Sequence, residues 1–337
     1  MNTGKISEGV LKRSVLGRIK TRREEVRKGA GAGEDCAFLA WKKQDSGEVL
    51  SAEENPVTAL STQTMTLPVS RASYLAVTAA FNNLAAQGAD PAAVMLSVTL
   101  PEGAQESVLR ELMEQAQECC REWNAQIAGG HTEVSAAVRW PLISATAVGR
   151  LTERRQNSEP ARLSLVMSKW IGLEGTAILV REKQKELSGR FSAGFLARTR
   201  EQERFLSLAP EAAIALKSNV YAMHDMRNGG VFGALWELSQ KLGVGLSADL
   251  KRIPVRQETI EICEFYHLNP YELLSGGALL MAAEDGFLLA ERLQEAGIPA
   301  ALIGVTNESN DRLVVNNGES RYLGPPGPDE IHKVSFN

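Results

Sequence analysis

Between residues 105 and 123 (QESVLRELMEQAQECCREW) the apolar positions Val108, Leu109, Leu112, Met113, Ala116, Cys120 and Trp123 recur three or four apart, painting one face of a helix. Asn124 stops it. Ile127 and Ala128 then open a short extended run that reaches Gly129 and Gly130. A glycine pair reads foremost as a turn, and the strand pattern that follows suits a hairpin. The alternative is a close approach to an anion, with His131, Thr132 and Glu133 leaving the turn and a hydroxyl and backbone N–H groups converging on it.

The same reading extends along the chain. Ser7 suits the N-cap of an amphipathic helix carrying Leu11, Val15, Leu16 and Ile19. The basic run from Lys20 to Lys28, broken by Glu24 and Glu25, reads as a solvated helix end. A glycine-rich approach ending at Gly33 leads to the acidic pair Glu34 and Asp35 and a short apolar strand. VTALSTQTMTLPVS reads as a strand ending in a polar turn, Ser61 to Thr64, and a helix over 70–88 follows. Within it Asn82 and Asn83, poor helix formers, suit either polar contacts at a site or an exposed face. Strands AVMLSVTL and PLISATAVGRL complete a β-β-α-β-α-β-β half, an α+β layer with helices on one sheet face.

The polar stretch TERRQNSEPAR marks a boundary between domains 1–155 and 156–337. LSLVMSKW reopens with a strand, and Gly172 and Gly175 lead into a helix. In NVYAMHDMRNGGVFGALWEL a strand delivers His224 and Asp225 to a turn, and Gly229 and Gly230 open a helix. The unpaired N–H groups of such a helix start make an anion site physically easy. A third glycine turn, Gly276 and Gly277, precedes a strand; helix 286–296, strands AALIGVT and RLVVN and a Pro/Gly-rich tail close the chain.

Composition narrows the picture. With 337 residues, 44% hydrophobic, 23% charged and a net charge of -4, the chain has the makeup of a soluble globular protein and lacks a basic surface for nucleic acid. Its cysteines, Cys36, Cys119, Cys120 and Cys263, show no metal-ligand spacing. No run approaches the length of a membrane span and no signal peptide is evident, so a cytoplasmic location is expected. For Asp35, metal or ligand binding stands beside the simpler reading of an acid capping its own loop. His131 and His224 read as loop hydrogen-bonders rather than metal ligands.

Taken in order, GEDCA, STQT, FNNLAAQGADP, GGHTEV, SKWIGLEGTAIL, HDMRNGGVFGALWEL, NPYELLSGGALLM and AGIPAALIGV resemble the AIR synthase (PurM-like) superfamily. Within it they are most similar to the AIR synthase-related proteins akin to the hydrogenase maturation factor HypE. The resemblance implies a two-domain α+β and α/β fold: a ferredoxin-like N-terminal sheet that pairs in a homodimer to form a β-barrel, and a C-terminal α/β domain. It further implies ATP and magnesium bound where the domains and dimer meet, and phosphoryl activation of an amide-type or similar oxygen in a small substrate or partner. By the same resemblance Asp35, Gln63 and Asn83 stand at the metal; Gly33, Gly129, Gly130, His131, Thr132, His224, Gly229 and Gly230 at the nucleotide; and Asp35, Asp225 and Arg227 in catalysis.

The match also departs from the family at telling places. Gln63 and Asn83 stand where the family has Asp, and Arg227 and Asn228 where it has Thr and Glu. The lost charges imply weakened magnesium binding, and Arg227 could answer by pairing with phosphate, or else sit on a loop surface. Two readings follow: an ATP-using enzyme, or a catalytically impaired paralogue acting as a nucleotide-sensing or scaffold homodimer. The HypE resemblance would also call for a C-terminal cysteine, whereas this sequence ends HKVSFN, so a carbamoyl dehydratase of that kind is not expected.

Overall fold

The computed structural model describes residues 4–40, 57–152 and 160–336. They form two compact units, one from the described residues of 20–152 and one from 4–19 and 160–335. Most of the expected boundary segment, 153–159, lies outside the described residues.

The first unit is a six-stranded sheet in the order β1-β2-β3-β6-β4-β5. Its strands are β1 (Val26–Lys28), β2 (Ala37–Ala40), β3 (Val57–Met65), β4 (Ala89–Leu100), β5 (Gln126–Val134) and β6 (Leu142–Leu151). Helix α1 (Ala72–Ala85) packs on β3, β6 and β4, and α2 (Glu106–Glu122) packs on α1 and β5. Every residue of α1 is buried, which its small side chains permit, whereas α2 buries only one stripe. The basic run 20–28 is not a helix end: it ends in edge strand β1. The helix suggested by Ser7 is three short turns of differing pitch between Glu8 and Arg18. Its apolar side is not buried, with Val15 43% exposed.

Gly129 and Gly130 are not in a turn. They lie inside β5, which runs parallel to β4 with α2 as the crossover. The register steps from Val94 opposite Ile127 to Met95 opposite Gly129, so Ala128 is the extra residue of a β-bulge. The glycines hold φ of 156° and 152°, and a Cβ on Gly130 would lie 1.8 Å from the carbonyl oxygen of Leu96. Close approach of two backbones is realised at Gly130, and both glycines take a φ that L side chains rarely adopt.

The second unit carries a seven-stranded sheet in the order β13-β12-β9-β11-β7-β10-β8. In chain order its main elements begin with β7 (Ser164–Ser168), α3 (Leu173–Glu182), α4 (Ala193–Arg200), α5 (Ala209–Leu216) and β8 (Val220–Asp225). Next come α6 (Gly230–Leu242), β9 (Gly245–Asp249), α7 (Gln257–Tyr266), β10 (Leu279–Ala283), α8 (Gly286–Glu295), β11 (Ala300–Asn307), β12 (Arg312–Asn316) and β13 (Glu319–Tyr322). All pairings are antiparallel except β12 with β9. The core between α6 and the sheet gathers Leu165, Met167, Val231, Leu235, Leu238, Leu280 and Ile303, and β10 is buried along its whole length. No described helix is long and apolar enough to cross a membrane.

Gly130→Ala should destabilise the first unit by about 3 kcal/mol or more, through strain and overpacking against Leu96. Gly129→Ala meets no atom within 4 Å and should show only the backbone strain, roughly 1–3 kcal/mol. Urea denaturation of the two variants checks the order.

Candidate functional site

In the first unit the sheet decides which residues can act together. Gln63, Ala145, Leu96 and Gly130 are consecutive cross-strand partners on β3, β6, β4 and β5, so they share one row on the helix-covered face. Two residues along β3, Ser61 is buried on that same face. The Nδ2 of Asn83, on α1, donates to Ser61 Oγ at 3.0 Å, and Ser61 Oγ donates to the carbonyl oxygen of Asp35 at 3.0 Å. Asp35, Ser61 and Asn83 are thereby tied together, with Gln63 one step along the strand. Gly33, at φ 75°, turns the chain just before Asp35.

Asn82 and Asn83 are only 2% and 3% exposed, so the exposed-face reading gives way to buried polar contacts. Such contacts are required, because a buried amide without partners is costly. Thr132 alternates onto the same face as Gly130, whereas His131 takes the opposite face beside Glu133, 3.5 Å away, with its side chain 69% exposed. That opposite face is open and lined by hydroxyls: Thr62 meets Thr146 at 3.0 Å, and Thr64 meets Ser144 at 2.7 Å. Met95 stands among them, 50% exposed.

Among the described residues, no group of three or more His, Cys, Asp or Glu side chains is placed to hold a metal. Asp35, Gln63 and Asn83 supply one carboxylate, and Asn83 commits its amide nitrogen to Ser61. This set fits a magnesium ion poorly, since that ion favours carboxylate oxygens in a nearly ideal octahedron.

In the second unit β8 carries His224 and Asp225, both buried, to the turn that starts α6. His224 Nε2 lies 3.0 Å from Glu237 Oε2 on α6, and Lys5 pairs with the same carboxylate from the N-terminal segment. Burial alone would push Glu237 up, but His224 and Lys5 outweigh it and hold the carboxyl below its usual range. Trp236 Nε1 donates to Glu8 at 2.9 Å, a second tie to that segment.

Arg227 is not on a loop surface. Its guanidinium is buried and paired with Glu174 of α3, Nε donating to Oε2 at 3.0 Å and Nη2 to Oε1 at 2.9 Å. Burial opposes its charge, and Glu174 more than compensates, holding the guanidinium above its ordinary pKa. Asp225 lies within electrostatic reach of Arg227 and of Lys169. Lys169, also buried, donates to the carbonyl oxygens of Phe205 and Ser207 at 2.7 and 2.8 Å and pairs with Glu211 at 2.5 Å. Burial pulls both partners toward neutrality, Lys169 downward and Glu211 upward.

Gly229 and Gly230 do open α6, both in the left-handed region, but their N–H groups donate within the chain. Gly229 donates to Asp329 Oδ2 at 2.7 Å, and Gly230 to the Arg227 carbonyl at 3.4 Å. A carboxylate of the protein itself thus holds the place where the sequence suggested an external anion. Asp329, Glu174, Glu237 and Lys169 all escape sequence reasoning. Glu174 looks like an ordinary first-turn acid, and Asp329 sits in a Pro/Gly-rich tail without periodicity.

The family models now decide the relationship. The N-terminal domain of AIR synthase related proteins matches residues 33–151, and the C-terminal domain of the same family matches 162–316. The chain belongs to the AIR synthase related protein family. This AIR synthase related protein is 28% identical over 269 residues to a candidate hydrogenase expression/formation protein of Methanocaldococcus jannaschii, covering 77% of this chain and 78% of that one. It is 28% identical over 249 residues to the carbamoyl dehydratase HypE of Azotobacter vinelandii, covering 71% of each. A solved structure of the hydrogenase maturation protein HypE in complex with ATP superposes with a TM-score of 0.67 at 21% identity, covering 81% of this chain and 86% of that one. The two-domain PurM-like fold expected from the motifs is therefore the fold observed; among the described residues each domain's sheet is open.

Two predictions follow from the buried charges. Arg227→Met should cost about 3–5 kcal/mol by stranding Glu174, whereas Glu174→Leu combined with Arg227→Met should cost less than the sum of the two single changes; a double-mutant cycle in urea reads this. Asp329 is a pH-sensitive group: burial lifts its carboxyl from the ordinary 3.8 to about 6, against three backbone N–H bonds that lower it. A raised folded-state pKa means the stabilising contribution is complete below about pH 3.8 and lost as pH rises through about 6. Relative to Asp329→Asn, the wild type should lose roughly 2 kcal/mol between pH 4 and 7. A stability difference that stays flat over that range would contradict the assignment.

Proposed function

We propose that this protein binds ATP and uses it to phosphorylate, and so turn into a leaving group, an amide-type or similar oxygen of a small substrate or protein partner. The observation that carries the reading is the match of both domains to one family, in which a relative of the same fold, HypE, is known in complex with ATP. In the N-terminal domain we assign the nucleotide to Gly33, Gln63, Asn83, Gly129, Gly130 and Thr132, with Asp35 as the carboxylate beside them. His131, on the other face, is left to the open side of the sheet. In the C-terminal domain Asp225 is the acidic group we assign to catalysis, with His224 held behind it by Glu237. Arg227, already neutralised by Glu174, holds the loop shape rather than receiving transferred charge.

Magnesium has no part in this reading, because the residues at the expected positions suit it poorly. The activated oxygen belongs to a substrate or partner rather than to a group carried on a thiol of this chain. All four cysteines are buried, and burial pushes Cys119 and Cys263 up to about 12 and Cys120 to about 11. A reducing, cytoplasmic setting fits four buried thiols. A second copy of the chain is the partner we assign to the open face around Thr62, Thr64, Met95, Thr146 and the outer edge of β5.

Calorimetric titration with a non-hydrolysable ATP analogue, with magnesium and again with EDTA, tests the nucleotide reading. Binding is expected in both conditions, with affinities differing by no more than about threefold, about 0.7 kcal/mol. Gln63→Asp, which restores a carboxylate beside Asp35, should create a clear magnesium dependence. Absence of binding in both conditions would favour a scaffold that has lost its ligand. For the dimer, Met95→Lys should shift the sedimentation coefficient from dimer to monomer without lowering the melting temperature of the single chain.

A further inference from the structure

Along α6 the aromatic side chains of Phe232 and Trp236 stand one turn apart, and each carries a guanidinium from the β12–β13 hairpin. Arg312 Cζ lies 4.3 Å from the ring centre of Trp236, and Arg321 Cζ 5.6 Å from that of Phe232. The two cations differ in what answers them. Arg312 has the Glu8 carboxylate within electrostatic reach, whereas Arg321 forms no ion pair with any of the described residues.

Arg321 overlooks a cavity of about 170 Å³ that lies within the second unit. Phe232, stacked on Tyr271 with ring centres 5.2 Å apart, gives it an apolar wall together with Val314, the residue opposite Arg321 across the hairpin. A second wall is the tail 324–328, GPPGP. This wall is set in place beforehand. Pro326 packs on the start of α6, where a Cβ on Gly229 or Gly233 would lie 3.7 or 3.9 Å from its own, and the Asp329 carboxylate accepts the Gly229 N–H just beyond it. Proline has a fixed φ, so little further ordering is needed when a guest arrives.

The third wall comes from Asn269 and Glu272. The backbone of Glu272 is engaged, its N–H with the Asn269 carbonyl and its carbonyl with the Glu330 N–H, but its side-chain carboxylate has no ion pair among the described residues. Asn269 spends Oδ1 on the N–H of Tyr271 at 3.2 Å, which leaves its NH2 group as a donor. Of the described residues that line the cavity, Glu272 and Arg321 alone are charged. Their signs are opposite, and they do not pair with each other. A phosphate or a simple carboxylate would be drawn by Arg321 and repelled by Glu272, and a lone cation would meet the reverse. A neutral guest would leave both charges unanswered. The guest that satisfies both walls carries both charges itself.

We propose that this cavity binds a small zwitterion of the amino-acid type, with its carboxylate on Arg321, its ammonium on Glu272 and its carbon skeleton against Phe232, Val314 and the prolines. The volume equals the liquid share of about five or six waters, which suits a free amino acid with a small aliphatic side chain. The site is separate from the ATP-binding reading and does not depend on it.

Ligand-observed NMR titration of the full chain without nucleotide tests the proposal, using L-valine and its isomer 5-aminopentanoate to offer a short and a long separation between the charges. At least one of them should bind with a Kd of about 1 mM or tighter. The analogues with a single charge, 3-methylbutanoate and valinamide for the first and pentanoate and pentylamine for the second, should bind at least tenfold more weakly than their parent. Arg321→Met and Glu272→Gln should each weaken the zwitterion at least tenfold at an unchanged melting temperature, while Arg13→Met, the loss of a cation outside the cavity, should bind as the wild type does. Failure of both zwitterions to bind would overturn the proposal. So would single-charge analogues that match their parents, or an affinity within twofold of wild type in Arg321→Met or Glu272→Gln. If either variant does not fold, the comparison of zwitterions with single-charge analogues on the wild type decides by itself.

Discussion

A guanidinium out of water has to be neutralised where it lies, and the interior of the second unit is arranged around that requirement at Arg227. Glu174 answers it from the first turn of α3, and the pair then dictates its surroundings. A Cβ on Gly276 would sit 2.1 Å from Glu174 Oε2, so any side chain in the turn before β10 would displace that carboxylate from Arg227. Ser275 gives its N–H to the Arg227 carbonyl and accepts the N–H of Gly172 on its hydroxyl, while the N–H of Gly175 goes to Leu274. Loops distant in sequence are locked by one ion pair and the hydrogen bonds that frame it. Losing either charge leaves the other buried, which is why such pairs resist single substitution although they add little net stability as a pair.

The first unit solves a different problem. Its candidate polar groups sit on a sheet whose covered face is otherwise apolar, so each must be satisfied locally. Ser61 is the link: it receives the Asn83 amide and passes its own proton to the Asp35 backbone. Bringing β5 close enough to β4 to extend the row from Gln63 requires a strand without a side chain at Gly130. The glycine pair and the polar residues of β3 are therefore parts of one surface, built by register.

Much of this was legible in the chain. The helical stripe from Val108 to Trp123, the strand into His224 and Asp225, the glycine start of α6 and the alternation after residue 286 all follow local periodicity, and the structure has them. The linked motifs were enough for the fold. What escaped was decided by partners far away in sequence. Whether Gly129-Gly130 bends or extends depends on Leu96, and whether Arg227 faces solvent depends on Glu174, 53 residues earlier. The local cap that Asp329 offers to Ile331 does not announce its burial, which is set by donors far away at Gly229 and Leu274.

The chain's path has a consequence in time. Residues 4–19 pack with the second unit, where Lys5 meets Glu237 and Glu8 meets Trp236, although the whole first unit lies between them in the chain. During synthesis at about 5–20 residues per second, a partner 232 residues downstream arrives roughly 10–50 seconds after Lys5 has left the ribosome. The first unit can form in that interval, while the opening segment waits without its acceptor. The second unit closes only when its last residues, Asp329 among them, have emerged. Residues 4–19 wait for Trp236 and Glu237, and a nascent chain halted before residue 329 carries a glycine loop whose Gly229 amide has not yet met its carboxylate.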